Sequence, residues 1–131
     1  RYILEQRPDS ARAAAGRLTC FGGSREPGES PHACIARELR EELGLERVEL
    51  EFALSLHVDG VMTAWFFRGT VSGSIEPTPA LRGAGHAAIL VAPSAIAEVW
   101  LSPWHRAAIN ADLAGLPEAH VRSGVPERPP E

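Results

Sequence analysis

Cysteine is scarce in this chain. Cys20 and Cys34 are the only two, 14 positions apart with no cysteine framework around them. That excludes a disulfide-stapled scaffold and fits a reduced, cytoplasmic compartment. No apolar run approaches the ~20 residues a membrane span needs, and no signal peptide is visible. Basic charge is in the minority: thirteen Lys and Arg against seventeen Asp and Glu leave a formal net charge of −4. This argues against a surface built for nucleic-acid backbones, and an anionic ligand must be met by a metal or by locally placed arginines. There is no internal repeat. There is no methionine at the front either; Arg1 leads straight into an apolar stretch, so further native residues, as much as a whole strand, are expected before it.

What is present suffices for one domain. The 131 residues, 44% of them hydrophobic, can bury a single core and are not the composition of a disordered chain. Arg1–Gln6 reads as a short strand broken by Pro8-Asp9-Ser10, and Leu18–Phe21 as a second ended by Gly22-Gly23. Ser30-Pro31 opens the clearest helix: the serine suits the cap and the proline the first helical position. Ala36, Leu39 and Leu43 recur at helical spacing as its buried stripe, Cys34 is expected on its outer side, and Gly44 stops it. Val48–Val58 and Val61–Val71 read as a hairpin about Asp59-Gly60. Gly73–Gly85 reads as loop, Ala87–Val91 as a strand, and Pro93–Val99 and Pro103–Leu113 as helices. Strands and helices in this order predict an α/β layered domain over residues 1–115. Residues 116–131, with four prolines and no apolar periodicity, are expected to be a mobile tail dispensable for activity.

The helix carries Glu38, Glu41 and Glu42 within roughly 100° of arc, beside a glycine pair whose backbone carbonyls can approach the same place. Hard cations such as Mg²⁺ want clustered oxygen ligands of this kind. Taken alone, Arg37 to Leu43 also reads as a solvated, salt-bridged face. Each like-charge pair costs only roughly 0.2–0.5 kcal/mol there, too little to decide between the two.

The wider spacing decides. Gly23 is followed after five residues by Glu29, after seven more by Arg37-Glu38-Leu39, then by Glu41-Glu42 and Gly44-Leu45. Nine such matches have a chance probability on the order of 10⁻⁹, and the pattern resembles the complete Nudix box. The resemblance implies an α/β/α sandwich around a mixed β-sheet. It further implies a metal-dependent hydrolase that cuts a phosphoanhydride bond in a nucleoside diphosphate-linked substrate. Glu38, Glu41 and Glu42, with the Gly22 carbonyl, would hold Mg²⁺, for which Mn²⁺ could substitute. Arg37 and Glu29 would pair and hold the loop against the helix, and Glu38 is favoured as the base. The partner implied is a small-molecule nucleotide, with no nucleic-acid polymer and no membrane, and a homodimer is left open. A catalytically silent Nudix domain acting as a nucleotide-binding regulator is the alternative.

The chain departs from the family in two places. Phe21 stands where many relatives have proline, and Leu81–Gly85 lacks the acid that many relatives supply downstream, leaving Glu76 and Glu98 as the nearest candidates. The residues that mark ADP-ribose, dinucleoside-polyphosphate and NADH hydrolysis are missing, so a nucleoside triphosphate or a nucleotide-sugar remains. Trp65, Phe66 and Phe67 alternate faces on one strand, so that one can pack the core and another stack a base. Trp100 and Trp104 are read as core or interface, and Arg7 and Arg17 as within reach of phosphates. His57, His86 and His105 lack metal-ligand spacing and receive no role.

Overall fold

Glycine and proline set the ends of the elements. In the computed structural model, which describes residues 1–124, α1 spans Pro31–Leu43. The Ser30 side chain accepts from the Ala33 N–H, and Gly44 closes the helix in the left-handed conformation at φ 67°. Asp59 and Gly60, both at positive φ, make the tight turn between β3 (Leu50–Val58) and β4 (Val61–Gly69), as a type I′ hairpin requires. The remaining strands are β1 (Tyr2–Gln6), β2 (Leu18–Thr19), β5 (Ala87–Val91) and β6 (Glu118–Val121).

The strands form two three-stranded sheets. The first is antiparallel in the order β2-β1-β5; the second is mixed, β4-β3-β6, with β6 parallel to β3. Helix α3 (Pro103–Leu113) covers one face of the second sheet, where Leu54, Leu56 and Ala119 bury against Ala108 and Ala111. On the β4 side, His32 of α1 meets Phe67 edge to face, 5.7 Å between ring centres. Leu4, Leu18, Val91, Ile96, Leu101 and Ile109 form the other half of the core. The α/β layering expected from the sequence holds, with the strands divided between two sheets.

Four expectations are corrected. The stretch Gly73–Gly85 contains a short helix, α2 (Pro79–Gly83), started by proline after Thr78. Pro93–Glu98 is a 3₁₀ helix, tighter than the α-helix expected. Cys34 is buried at 5% exposure, its thiol donating to the Gly23 carbonyl at 3.6 Å, because that side of α1 faces the glycine loop. Residues 118–121, assigned to a mobile tail, are β6. Their alternation is short, but Ala119 is small enough to fit under α3 and Ser55–Val58 offer a free edge in register. The rest of that expected tail, residues 125–131, lies outside the described residues. Among the described residues no helix is long and apolar enough to cross a membrane.

Candidate metal and substrate site

The loop between β2 and α1 is folded by its own sequence. Pro27 and Gly28, the latter at φ 79°, sit at the centre of a turn in which the Glu29 N–H donates to the Glu26 carbonyl at 3.0 Å. Proline followed by a positive-φ glycine is the type II pattern. The turn aims the Glu29 carboxylate back at the chain, where it accepts from the Glu26 N–H at 3.0 Å. It also takes two bonds from Arg37, Nε at 2.7 Å and Nη2 at 3.0 Å. This two-pronged grip is the strong form of the carboxylate–guanidinium pair. The Arg37 hydrogen bonds, then that of the Glu26 backbone, hold the Glu29 carboxyl down at about 2.

Arg37 has further partners. Nη2 donates to the Ser24 carbonyl at 3.1 Å, and Nη1 to Glu38 at 2.9 Å and Glu41 at 3.1 Å. One guanidinium therefore ties the loop to two of the three glutamates. Gly23 makes room for this packing: a Cβ there would lie 2.3 Å from Glu38 Oε1, so the Glu38 carboxylate would have to move away.

Glu38 and Glu42 are brought together, and Glu41 stands apart, 55% exposed and held by Arg37. Burial, then the charge of Glu5, then a hydrogen bond and charge from Glu38, push the Glu42 carboxyl up to about 8, with the Gly22 N–H pulling the other way. Glu42 Oε1 is buried with no hydrogen-bond partner. Such an orphaned oxygen is costly unless something positive meets it. Thr78 fixes the end of the helix, its N–H donating to the Glu42 carbonyl at 2.8 Å and its hydroxyl to that of Glu41 at 3.1 Å.

Glu5 was missed. It is 2% exposed on β1, accepting from Arg7 at 3.1 Å and Thr19 at 3.2 Å and lying 2.7 Å from His86 Nδ1. No local signal marked it: Glu5 lies on the face of β1 opposite the core residue Leu4, and it is buried because both faces of the strand are covered. The acids suggested instead are elsewhere. Glu76 is exposed and paired with Arg82 at 3.2 Å, and Glu98 is exposed on the 3₁₀ helix.

A cavity of about 940 Å³ opens beside Gly22 and Gly23 and is lined by Arg7, Arg17, Arg25, Trp65, Trp104 and His105, among others. The Arg25 guanidinium lies 4.8 Å from the Trp65 ring centre, and that of Arg17 5.1 Å from Trp100. Phe66 packs against the core cluster of Leu54, Leu56 and Ala108 and meets His105 edge to face at the cavity wall, 5.9 Å between ring centres. Burial raises both cysteine thiols, which argues against thiolate chemistry here.

His105, also given no role from the sequence, is set against this cavity. Burial, then the charge of Arg7, pushes its imidazole down to about 4. The unfolded chain takes up this proton near 6.5. Between these values the unfolded state binds more protons, so stability rises with pH across that window and is lost as pH falls toward 4. The full swing is about 3 kcal/mol. His105→Gln is expected to flatten the upper part of that acid limb, between pH 6.5 and about 5, in denaturant titrations. Parallel losses in parent and variant would show that His105 is not the group responsible.

In this α/β domain Glu38 and Glu42 come together where a glycine loop meets a helix, and the same loop borders an open cavity. The NUDIX domain model matches residues 2–112, more than four-fifths of the chain, and the chain belongs to the Nudix family. No curated protein matches it closely enough to be counted a relative. Family membership supports hydrolase activity on phosphorus-containing anhydrides.

Proposed function

We propose that this chain is an active Nudix hydrolase that uses a divalent cation, Mg²⁺ or Mn²⁺, to cleave a phosphoanhydride bond in a nucleoside triphosphate or nucleotide-sugar. The observation that carries this reading is the partnerless Glu42 Oε1, buried under the charges of Glu38 and Glu5. Arg37 pairs with Glu38 and Arg7 with Glu5, but no side-chain cation meets Glu42 among the described residues. A carboxylate oxygen left so, beside two other carboxylates, fits a hard cation, for which oxygen donors are the right chemistry. Glu38, Glu42 and Glu41, once the last is released from Arg37, would hold it with the Gly22 carbonyl. When bound, the cation supplies positive charge to the phosphoryl oxygens and acidity to a bound water.

The chain's own residues do the rest. Arg37, clamped by Glu29, keeps one oxygen of Glu38 engaged and leaves its other oxygen for the cation's side of the site, as a ligand or as the acceptor of a proton from the attacking water. The arginines of the cavity meet the remaining phosphate charge; a chain of net charge −4 has to supply such cations locally. Trp65, under Arg25, offers a flat face for a base. Cytoplasmic operation fits the two unpaired thiols.

A phosphate-release screen over nucleoside triphosphates, oxidised deoxynucleotides, nucleotide-sugars and dinucleotides with Mg²⁺ tests the proposal. In isotopically labelled water, the label is expected on a phosphate product. Label on a sugar or base carbon would mean another chemistry. Binding without turnover on any substrate would make the chain a silent regulator.

A further inference from the structure

We propose a second metal site, separate from the glutamates of α1, formed by His57, Glu118 and His120 and selective for zinc-type ions. Among the described residues, the ligating atoms of these three side chains all lie within 4.8 Å of one another. Glu118 reaches both rings at their edges: its oxygens lie 3.8 Å from His57 Nε2 and 3.1 Å from His120 Nε2. A tetrahedral ion with bonds of about 2.0–2.1 Å has ligands roughly 3.3 Å apart. Closing the cluster around one requires the three donors to draw together and the two rings to swing out of their stack, so that their nitrogens converge.

The backbone makes this arrangement necessary. β6 runs parallel to β3 with His120 opposite His57 and Glu118 opposite Ser55. Opposite residues of paired strands share a face, and Leu56 and Ala119, between them, are buried on the other face against α3. The register therefore fixes both histidines and the glutamate on one outer surface, the rings stacked 4.7 Å apart at 19°. Ser55 Oγ lies 3.1 Å from His57 Nε2 and holds the ring in place until a metal takes that nitrogen.

Donor chemistry sets the ion. Two imidazoles and one carboxylate suit Zn²⁺, Co²⁺ or Ni²⁺ better than Mg²⁺, which the all-oxygen site of α1 suits. Three protein ligands leave a fourth position for water. A bound ion would clip the last described strand to the centre of its sheet.

Isothermal titration of Zn²⁺ into the full chain, with Mg²⁺ in excess so that the glutamate site is filled, tests the site. One equivalent is expected to bind, with the same affinity in Glu42→Gln and at least ~10-fold more weakly in His120→Ala. His120 is exposed, so its replacement leaves the fold intact. Zn²⁺ at a hundred times its Kd is also expected to raise the Tm of the parent and of Glu42→Gln by about 5 °C or more, and that of His120→Ala by far less. In Co²⁺-loaded protein, a visible band present in the parent is expected to be missing from His120→Ala. No zinc binding under excess Mg²⁺, equal binding by His120→Ala, or binding abolished by Glu42→Gln would each overturn the proposal.

Discussion

Glu42→Gln is expected to lower kcat at least ~100-fold at saturating Mg²⁺, about 2.7 kcal/mol of transition-state stabilisation, while leaving the metal-free protein at least as stable as the parent. The two effects have one cause. Glu42 is held in a crowded place, half-buried, beside Glu5 and Glu38. Without a cation that crowding is a cost, which a neutral isostere of the same helix propensity relieves. With one, the same carboxylate is a ligand, and its loss leaves the charge developing on phosphoryl oxygens poorly offset. Melting curves in chelator, read beside turnover in Mg²⁺, separate the two. Glu46→Gln, exposed beyond the end of α1, is the matched control and is expected to be nearly silent. A folded Glu42→Gln with near-parental kcat would remove the glutamates of α1 from the chemistry.

The parts of this molecule readable from sequence are those governed by local rules. The Ser30 cap, Pro31, the Gly44 stop and the Asp59-Gly60 turn each act within a few residues, and the structure has all four. The pairing of Glu29 with Arg37 was also legible, though only through the spacing of a known motif, not from the charges themselves. Contacts that depend on distant strands were not. Glu5 and Glu42 are 37 positions apart, and only the pairing of β1 with β2 and β5 puts the first acid near the second. Cys34 looked like an outer residue because the helix was read as having one buried stripe, whereas the glycine loop covers a second side. His57 had no partner in sequence because its partners lie in a stretch with no apolar periodicity. A four-residue strand needs only one inward small residue, Ala119, and leaves no periodic trace.

A chain ending at Gly115 is expected to lose about 4 kcal/mol or more of stability, the reverse of what a mobile tail would give. β6 is an edge strand, yet it is built in. The Ser55 N–H donates to the Pro117 carbonyl at 3.1 Å, the Asp59 N–H to that of Val121 at 2.9 Å, and the Leu116 N–H to Ala111 at the end of α3 at 2.9 Å. Bonds of this kind contribute about 1 kcal/mol each. Ala119 is 4% exposed and covers Leu56, which is 0% exposed, and Ala108. Uncovering on the order of 100 Å² of apolar surface there costs about 2.5 kcal/mol. Beyond the strand, Ser123 closes back on Asp59 through its N–H at 3.0 Å and through its hydroxyl, which ties the strand's end to the β3–β4 turn. A loss of this size is a large fraction of the roughly 5–15 kcal/mol that holds a domain together, and it leaves β3 as a bare edge open to strand pairing between molecules. A second truncation ending at Gly124 keeps every one of these contacts and is expected to stay within ~0.5 kcal/mol of the parent. Urea midpoints of the two truncations, taken with activity measured below both transitions, give the comparison. If the chain ending at Gly115 unfolds at the parental midpoint, β6 adds nothing to the fold, and a loss of activity in that variant would instead mean that the segment acts at the cavity itself.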